Sequence, residues 1–551
     1  MLKGGLAALA SLGASRLLDA RAAAAPLLLR APPGPPVGDP ILQMSSLGPS
    51  ESIGGLPFAP SWFGDWFPSN AIPFHNCENC EPFPGPQETI DVAVVGGGLS
   101  GLASAYLLRE RNPVLFELRP RLGGNAMGES FGGRTWSLAS AYFMQADAAS
   151  PLGALYSELG IDHHWREDAG DFTFEYEGKI GGDVLGPDAS REEVAVFERY
   201  RAAVAYFADE AYPELPYERE MPRSIRELDS RTFHEDLLIR CGPLPPRLAY
   251  LLQAYCYSSL GVGGDELSAA AAWNFIAAEE FGRNIMVGGN AGLARTLWQK
   301  ARIGGARFRC GALVAEVKPV EGGSLVHWRD DSGAPHTTFA RQVVLANAKH
   351  IARSMLPWLR DADPAKREAM QQVPTVAYVV ANVVLTTPLQ REFYDLYING
   401  GRDFPRDGSA FESHRVITDV VNGGFAIGGP TTRVLTLYWP LPWHTARFSI
   451  VGEDDWRAYA ALAAPQVAEL LANLGVPQQH VQQIRLARWG HAMPFATPGA
   501  YTGGLPQELR RPLFGKIWFV NQDNWLLPAV ETCLSEAMWA APQIEDALGR
   551  G

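Results

Sequence analysis

Residues 92–126, VAVVGGGLSGLASAYLLRERNPVLFELRPRLGGNA, restrict the fold more than any other stretch of the chain. Apolar residues 92–95 read as a central parallel strand, and Gly96, Gly98 and Gly101 fill the G-x-G-x-x-G positions that open a helix running to about Arg111. Gly96 permits the tight turn. Gly98, with Leu99 and Ser100 beside it, lets the backbone approach a pyrophosphate, and Gly101 lets the helix pack on the strand. The unpaired N–H groups of the helix then face the anion. A second strand, residues 114–116, ends in Glu117, which lies 21 residues after Gly96, where an acid accepts hydrogen bonds from a ribose diol. The bland alternative, a β-α-β unit that holds nothing, leaves that acid unexplained.

The next stretch, ELRPRLGGN (residues 117–125), resembles the E-x-R-x-R-x-G-G-R signature of the flavin-containing amine oxidase superfamily, which also includes phytoene desaturases and protoporphyrinogen oxidases. Glu117, Arg119, Arg121, Gly123 and Gly124 stand where the signature asks, and its last arginine is Asn125 here. Three later segments resemble the same family in the same order. Residues 287–317 look like its glycine-led helix and two strands, with Val314 in the place whose backbone meets the adenine. Residues 488–501 are similar to the W-x-x-x-x-P-x-x-x-P-G stretch that approaches the flavin and the substrate cavity. Residues 517–541 resemble the closing strand, acid turn and helix; the acid falls on Gln522 or Asp523, of which only Asp523 is an acid, and Ala529 and Val530 present backbone to the flavin. Ala141 and Tyr142 fall beside the isoalloxazine, where the usual D-L-G is Ser137-Leu138-Ala139. The resemblance implies FAD, bound non-covalently since no attachment motif is recognisable.

The implied fold is α/β, a Rossmann-like FAD-binding domain interleaved with a mixed α+β substrate domain. Its expected pieces are FAD-binding at 89–149, 285–350 and 484–551, and substrate-binding at 150–284, mostly helical, and 351–483, rich in strands. The 551-residue length and 47% hydrophobic content allow two cores. Net charge is −13, which makes nucleic acid a poor partner.

Residues 1–30 read as an export signal: a lysine, an uncharged apolar run too short to span a bilayer, then A-x-A possibilities. The LKGG start resembles the end of a truncated twin-arginine signal, implying a periplasmic or otherwise exported protein without an integral membrane span; the alternative is a cytoplasmic protein with an N-terminal extension. Residues 31–88 form a proline-, glycine- and aromatic-rich extension whose aromatics pack on the body. Cys77 and Cys80 form a C-x-x-C read as a local disulfide, with zinc the minor option; no metal site is expected, and Cys241, Cys256, Cys310 and Cys533 read as buried thiols.

Catalytic candidates are His491 and Trp489 in the cavity-reaching stretch, Tyr142, and Trp525 after Asp523, with Phe495 also lining the cavity. For the aromatics the alternative is core packing. His491 would orient substrate or act as an acid/base near neutral pH, the alternative being a satisfied structural histidine. Lys349 and His350 read as surface residues at a helix start. Two departures stand against a typical amine oxidase: the lysine near the flavin falls on Val380, and one tyrosine of the amine cage falls on Ala529. The leading expectation is hydride transfer to FAD from a C–N bond of an amine or polyamine, with oxygen, a quinone or a cytochrome as electron acceptor. The closer resemblance, a loose one, is to bacterial spermidine-dehydrogenase-type flavoproteins. The alternatives are desaturation or isomerisation of an isoprenoid-like hydrophobic substrate, and a flavin-bound electron-transfer or assembly module.

Overall fold

The computed structural model describes residues 39–44, 46–65, 81–161, 173–217, 220–391, 393–399, 416–427, 433–444 and 446–549. The expected export segment, the start of the extension, and Cys77 and Cys80 lie outside the described residues.

Among the described residues two principal sheets organise the chain. The first has seven strands around Glu88–Val95, flanked in parallel by Val114–Glu117 and Pro335–Leu345. Val92, Ala93 and Val94 are fully buried, as expected for a parallel strand covered on both faces. Leu99–Leu107 covers one face together with Asn290–Ile303 and the closing helix Val530–Gly549. Pro335–Leu345 carries an antiparallel meander, Leu313–Val320 and Gly323–Arg329, on one side and pairs in parallel with Ile517–Phe519 at its C-terminal end. The nucleotide sheet is thus assembled from three distant stretches of sequence. Cys310, expected to be buried, is part-exposed because Arg307–Cys310 is the edge strand of this sheet, whereas Cys241, Cys256 and Cys533 are buried.

The second sheet has nine strands. Its centre, Thr375–Leu385, is buried at every residue and lies between Val434–Pro440 and the long strand Val481–Pro494, both antiparallel to it. The 483/484 boundary drawn from sequence passes through that long strand. Leu56–Gly64, from the extension, adds to it in parallel, with Leu486 opposite Trp62 and Arg488 opposite Gly64, so the aromatic residues 58, 62 and 63 do pack on the body. Helices Arg191–Asp209, Phe233–Cys241, Pro246–Leu260 and Ala269–Ala278 cover this part of the chain; Ser190 with Glu193 and Thr232 with Glu235 close capping boxes at the first two.

The nine-stranded sheet meets a small three-stranded sheet, Leu42–Met44, Gly128–Phe131 and Arg134–Ser137, across a buried ion pair. Arg485 on the long strand donates two 2.7 Å bonds to Glu129, on Gly128–Phe131, and its guanidinium lies 3.6 Å from the Phe63 ring centroid. Among the described residues, no helix is long and apolar enough to cross a membrane, and no group of three or more His, Cys, Asp or Glu is arranged to hold a metal.

Candidate active site

The two glycine turns lie backbone against backbone. Gly96 has φ +108°, and a Cβ on Gly101 would sit 1.9 Å from the Gly96 carbonyl oxygen, so only glycine lets the helix rest on the turn. The second turn folds onto the first: Gly123 N–H donates to Gly97 O at 2.8 Å, and a Cβ on Gly124 would come within 2.9 Å of Gly98 Cα. Glu117 closes the junction, accepting from Gly97 N at 2.6 Å and from Arg119 N at 2.9 Å. Gly98, the N-cap of Leu99–Leu107, makes no side-chain cap bond, and a Cβ there would meet nothing nearer than 3.9 Å. Uncapped helix N–H groups beside an open approach, and a carboxylate with lone pairs to spare, fit the pyrophosphate and ribose of FAD. Ser100 is buried behind them and Val314 is buried on its strand, next to a register shift.

The other motif residues are bonded within the chain. Arg121 donates to Ile41 O at 2.8 Å and to Gly128 O, Asn125 Nδ2 to Ala492 O at 2.6 Å, and Arg119 pairs with Asp65. In the closing turn, Asn521 Oδ1 accepts from Asp523 N at 2.8 Å. Asp523 Oδ2 accepts the backbone N–H of Lys349 at 2.8 Å; burial raises the Asp523 carboxyl against the pull of that lysine. Gln522 lies 3.8 Å from the Cys533 thiol, and Ala529 and Val530 lead into the closing helix.

A third group surrounds Tyr142, whose carbonyl is held by Asn290 Nδ2 at 2.8 Å directly after Ala141. The phenols of Tyr142 and Tyr255 donate to Glu279 Oε1 at 3.3 and 2.9 Å. Arg283 pairs with Glu279, reaches Asp395 at 3.4 Å and lies 4.7 Å from the Tyr142 ring centroid. Tyr394 packs edge-on to Tyr142 at 6.0 Å. Both phenols, Tyr142 and Tyr255, are pushed well above the usual range, first by burial and next by Glu279. Glu531, at the start of the closing helix, takes the Met144 N–H and is raised to about 7 by burial, with Glu279 adding to the rise.

Of the remaining candidates, Trp489 donates to Leu138 O at 3.1 Å, Trp525 donates to Glu536 at 2.8 Å and packs edge-on to Tyr217, and Phe495 packs on Trp443. His491 Nδ1 lies 2.7 Å from Thr375 Oγ1 and the ring stacks on His350 at 3.5 Å. Burial first, then His350 and Arg447, push His491 down to about 2, so its imidazole is neutral at pH 7 and can orient a partner but does not titrate there. The surface reading of Lys349 and His350 is overturned: Lys349 is fully buried and burial drives His350 down to about 3. Their helix, Lys349–Ser354, starts where a buried strand ends, so its first turn points inward. Val380 is buried on the central strand opposite Tyr438 and Ala487.

Sequence reasoning missed Glu279, Arg283, Glu531, Lys349 and Asp65. The i,i+4 spacing of Glu279 and Arg283 was the one available signal, and it is equally common on solvated faces.

A sequence model of the family described as flavin containing amine oxidoreductase matches residues 99–513. Oxidoreductase PigB of Serratia sp. is 21% identical over 546 residues, covering 87% of this chain and 78% of that protein. The solved structure of putrescine oxidase bound to putrescine matches 83% of this chain and 99% of its own at TM-score 0.61 and 18% identity. A fatty acid isomerase from P. acnes matches 82% and 98% at TM-score 0.58 and 12% identity, so fold likeness alone leaves the bond attacked open. With the family matched over most of its length and the glycine cradle in place, the chain belongs to the flavin-containing amine oxidoreductase family and is an FAD-dependent oxidoreductase.

Proposed function

We propose that the protein oxidises an amine or polyamine at a C–N bond. The observation that carries this reading is Glu279, with a side chain 6% exposed, set between the phenols of Tyr142 and Tyr255. A buried carboxylate held by two phenol hydroxyls suits the ammonium of an amine better than an uncharged isoprenoid. Arg283 pairs with Glu279 and reaches Asp395 at 3.4 Å. FAD, when bound, supplies the hydride acceptor. The residues around it would bind and orient: Glu279 and the tyrosines draw in the ammonium end, the buried rings exclude water, and neutral His491 offers a hydrogen bond without competing charge.

Anaerobic mixing of the yellow holoenzyme with panels of amines and of unsaturated lipids tests the reading. Bleaching of the visible flavin band by amines is expected, and Glu279→Gln should weaken the response about tenfold or more in half-saturating concentration, since hydrogen bonds to charged groups contribute about 1.5–3 kcal/mol. Bleaching by lipids alone would sink it. A flavin that no member of either panel reduces would favour the electron-transfer alternative.

A further inference from the structure

Residues ahead of the nucleotide strand reach into the cofactor motif. The strand Leu56–Gly64 runs along Val481–Pro494 and delivers Asp65 to the end of the motif, where Asp65 Oδ1 takes the guanidinium of Arg119. Its other oxygen accepts the Gly490 N–H at 2.9 Å, and its own N–H donates to Arg488 O at 2.7 Å. Arg119 in turn donates its backbone N–H to Glu117 at 2.9 Å, and its guanidinium lies 5.9 Å from the Trp489 ring centroid. An unbroken series of contacts therefore runs from the carboxylate facing the ribose, through Arg119 and Asp65, to the strand carrying Trp489 and His491. An exposed pair of this kind contributes little. Here the side chains are 21% and 15% exposed and both carboxylate oxygens are engaged, so the pair is held in one geometry.

We propose that Asp65 is a positioning residue: by clamping Arg119 against the Trp489–Gly490 stretch, it presets Glu117 for the ribose and keeps the nucleotide turn in register with the cavity strand. The proposal rests on FAD as the cofactor and not on the amine reading. Its logic is preorganisation, in which a group already held in its bound position loses less freedom on binding. Without Asp65 the segment carrying Glu117 and Arg119 must be ordered by the cofactor itself.

The test is FAD release from the purified holoenzyme, followed by recovery of flavin fluorescence on dilution. Asp65→Asn, which keeps an acceptor for Gly490 but removes the charge, should weaken retention about tenfold. In an Arg119→Gln background the same change should add nothing, because the partner is already gone. The exchanged pair Asp65→Arg with Arg119→Asp should recover part of the lost affinity and the wild-type shape of the visible flavin band, which a merely structural contact would not restore. Retention in Asp65→Asn equal to or tighter than wild type, or additive losses in the double variant, would overturn the proposal. Should Asp65→Asn not fold, the exchanged pair decides: recovery of folding and FAD binding supports the clamp, and failure of both overturns it.

Discussion

At the nucleotide end the chain meets itself through bare backbone: Gly123 donates to Gly97 O, and Gly101 lies where any side chain would strike the preceding turn. At the proposed substrate wall it meets itself through long side chains, with Tyr142 and Glu279 joined across 137 residues of sequence. Backbone contact tolerates no substitution, because the atoms in the way belong to the main chain and cannot change rotamer. Side-chain contact can be remade with different residues, so one fold can house amine oxidation in one relative and fatty acid isomerisation in another.

The hardest way to break this contrast is Gly101→Ala. Its Cβ would lie 1.9 Å from the Gly96 carbonyl oxygen, far inside any allowed approach, so the helix must lift off the strand. The cost should exceed the about 1–3 kcal/mol of ordinary overpacking. The expected outcome is protein that purifies colourless and takes up no added FAD; a yellow variant with wild-type FAD content would show that the turn has slack. Second in size is Glu129→Ala, at the side-chain contact that ties the small sheet of Gly128–Phe131 to the long strand Val481–Pro494. It strands the Arg485 guanidinium, whose neighbours leave it 3% exposed and which cannot shed its proton. Breaking a buried pair from one side costs about 3–5 kcal/mol, read as a lowered denaturation midpoint. A loss under about 1 kcal/mol would mean that water reaches the pair.

The contrast also decides how much could be read before the structure. The close backbone approach at Gly96, Gly101, Gly123 and Gly124 was legible because sterics within a few residues require glycine there. The α/β class was legible because strands covered on both faces leave continuous apolar runs, as at Val92–Val95 and Thr375–Leu385. The wall was not. Glu279 looks like any helix-end acid until Tyr142 and Tyr255 arrive from elsewhere. Lys349 was misread for a related reason: charge next to a helix start suggests solvent, whereas its Nζ is buried without a hydrogen-bond partner among the described residues, 5.8 Å from the Phe519 ring centroid. Asp65 was invisible because nothing in its own segment points to Arg119.

Lys349 gives the third prediction, and lysine behaves differently from Arg485. Burial lowers it from the usual 10.5 to about 8, with Asp523 and Glu536 pulling the other way. At pH 7 both folded and unfolded chains carry the proton, so the full desolvation penalty is present; between pH 8 and 10.5 the unfolded chain holds more protons, and this residue's contribution makes stability rise with pH. A fall of about 2.5 units at about 1.4 kcal/mol each is on the order of 3 kcal/mol. Lys349→Met should therefore be more stable than wild type at pH 7 by up to that amount, with the advantage vanishing above about pH 10. Urea midpoints at pH 7 and pH 10 check both halves. A variant less stable at pH 7 would show that the ammonium is held by Asp523 and Glu536 more strongly than burial opposes it.

His491 sharpens the contrast at its smallest. It sits on the long strand Val481–Pro494, yet the forces on it are those of the backbone-packed end: burial, a stacked His350 and the Arg447 guanidinium. A histidine near pH 6.5 would place a limb in the pH profile of substrate-driven flavin reduction, and a ring held down to about 2 places none. Between pH 5 and 8 the profile of wild type and of His491→Asn should therefore have the same shape, the variant differing by a constant factor of a few-fold from the hydrogen bond with Thr375. Rapid-mixing measurements at half-unit pH steps would show it. A wild-type limb near pH 6 to 7 that disappears in His491→Asn would move this residue from the packed framework to the proton-handling part of the site. A limb that survives the substitution would instead point to Glu531, whose carboxyl is raised to about 7 beside the Met144 N–H.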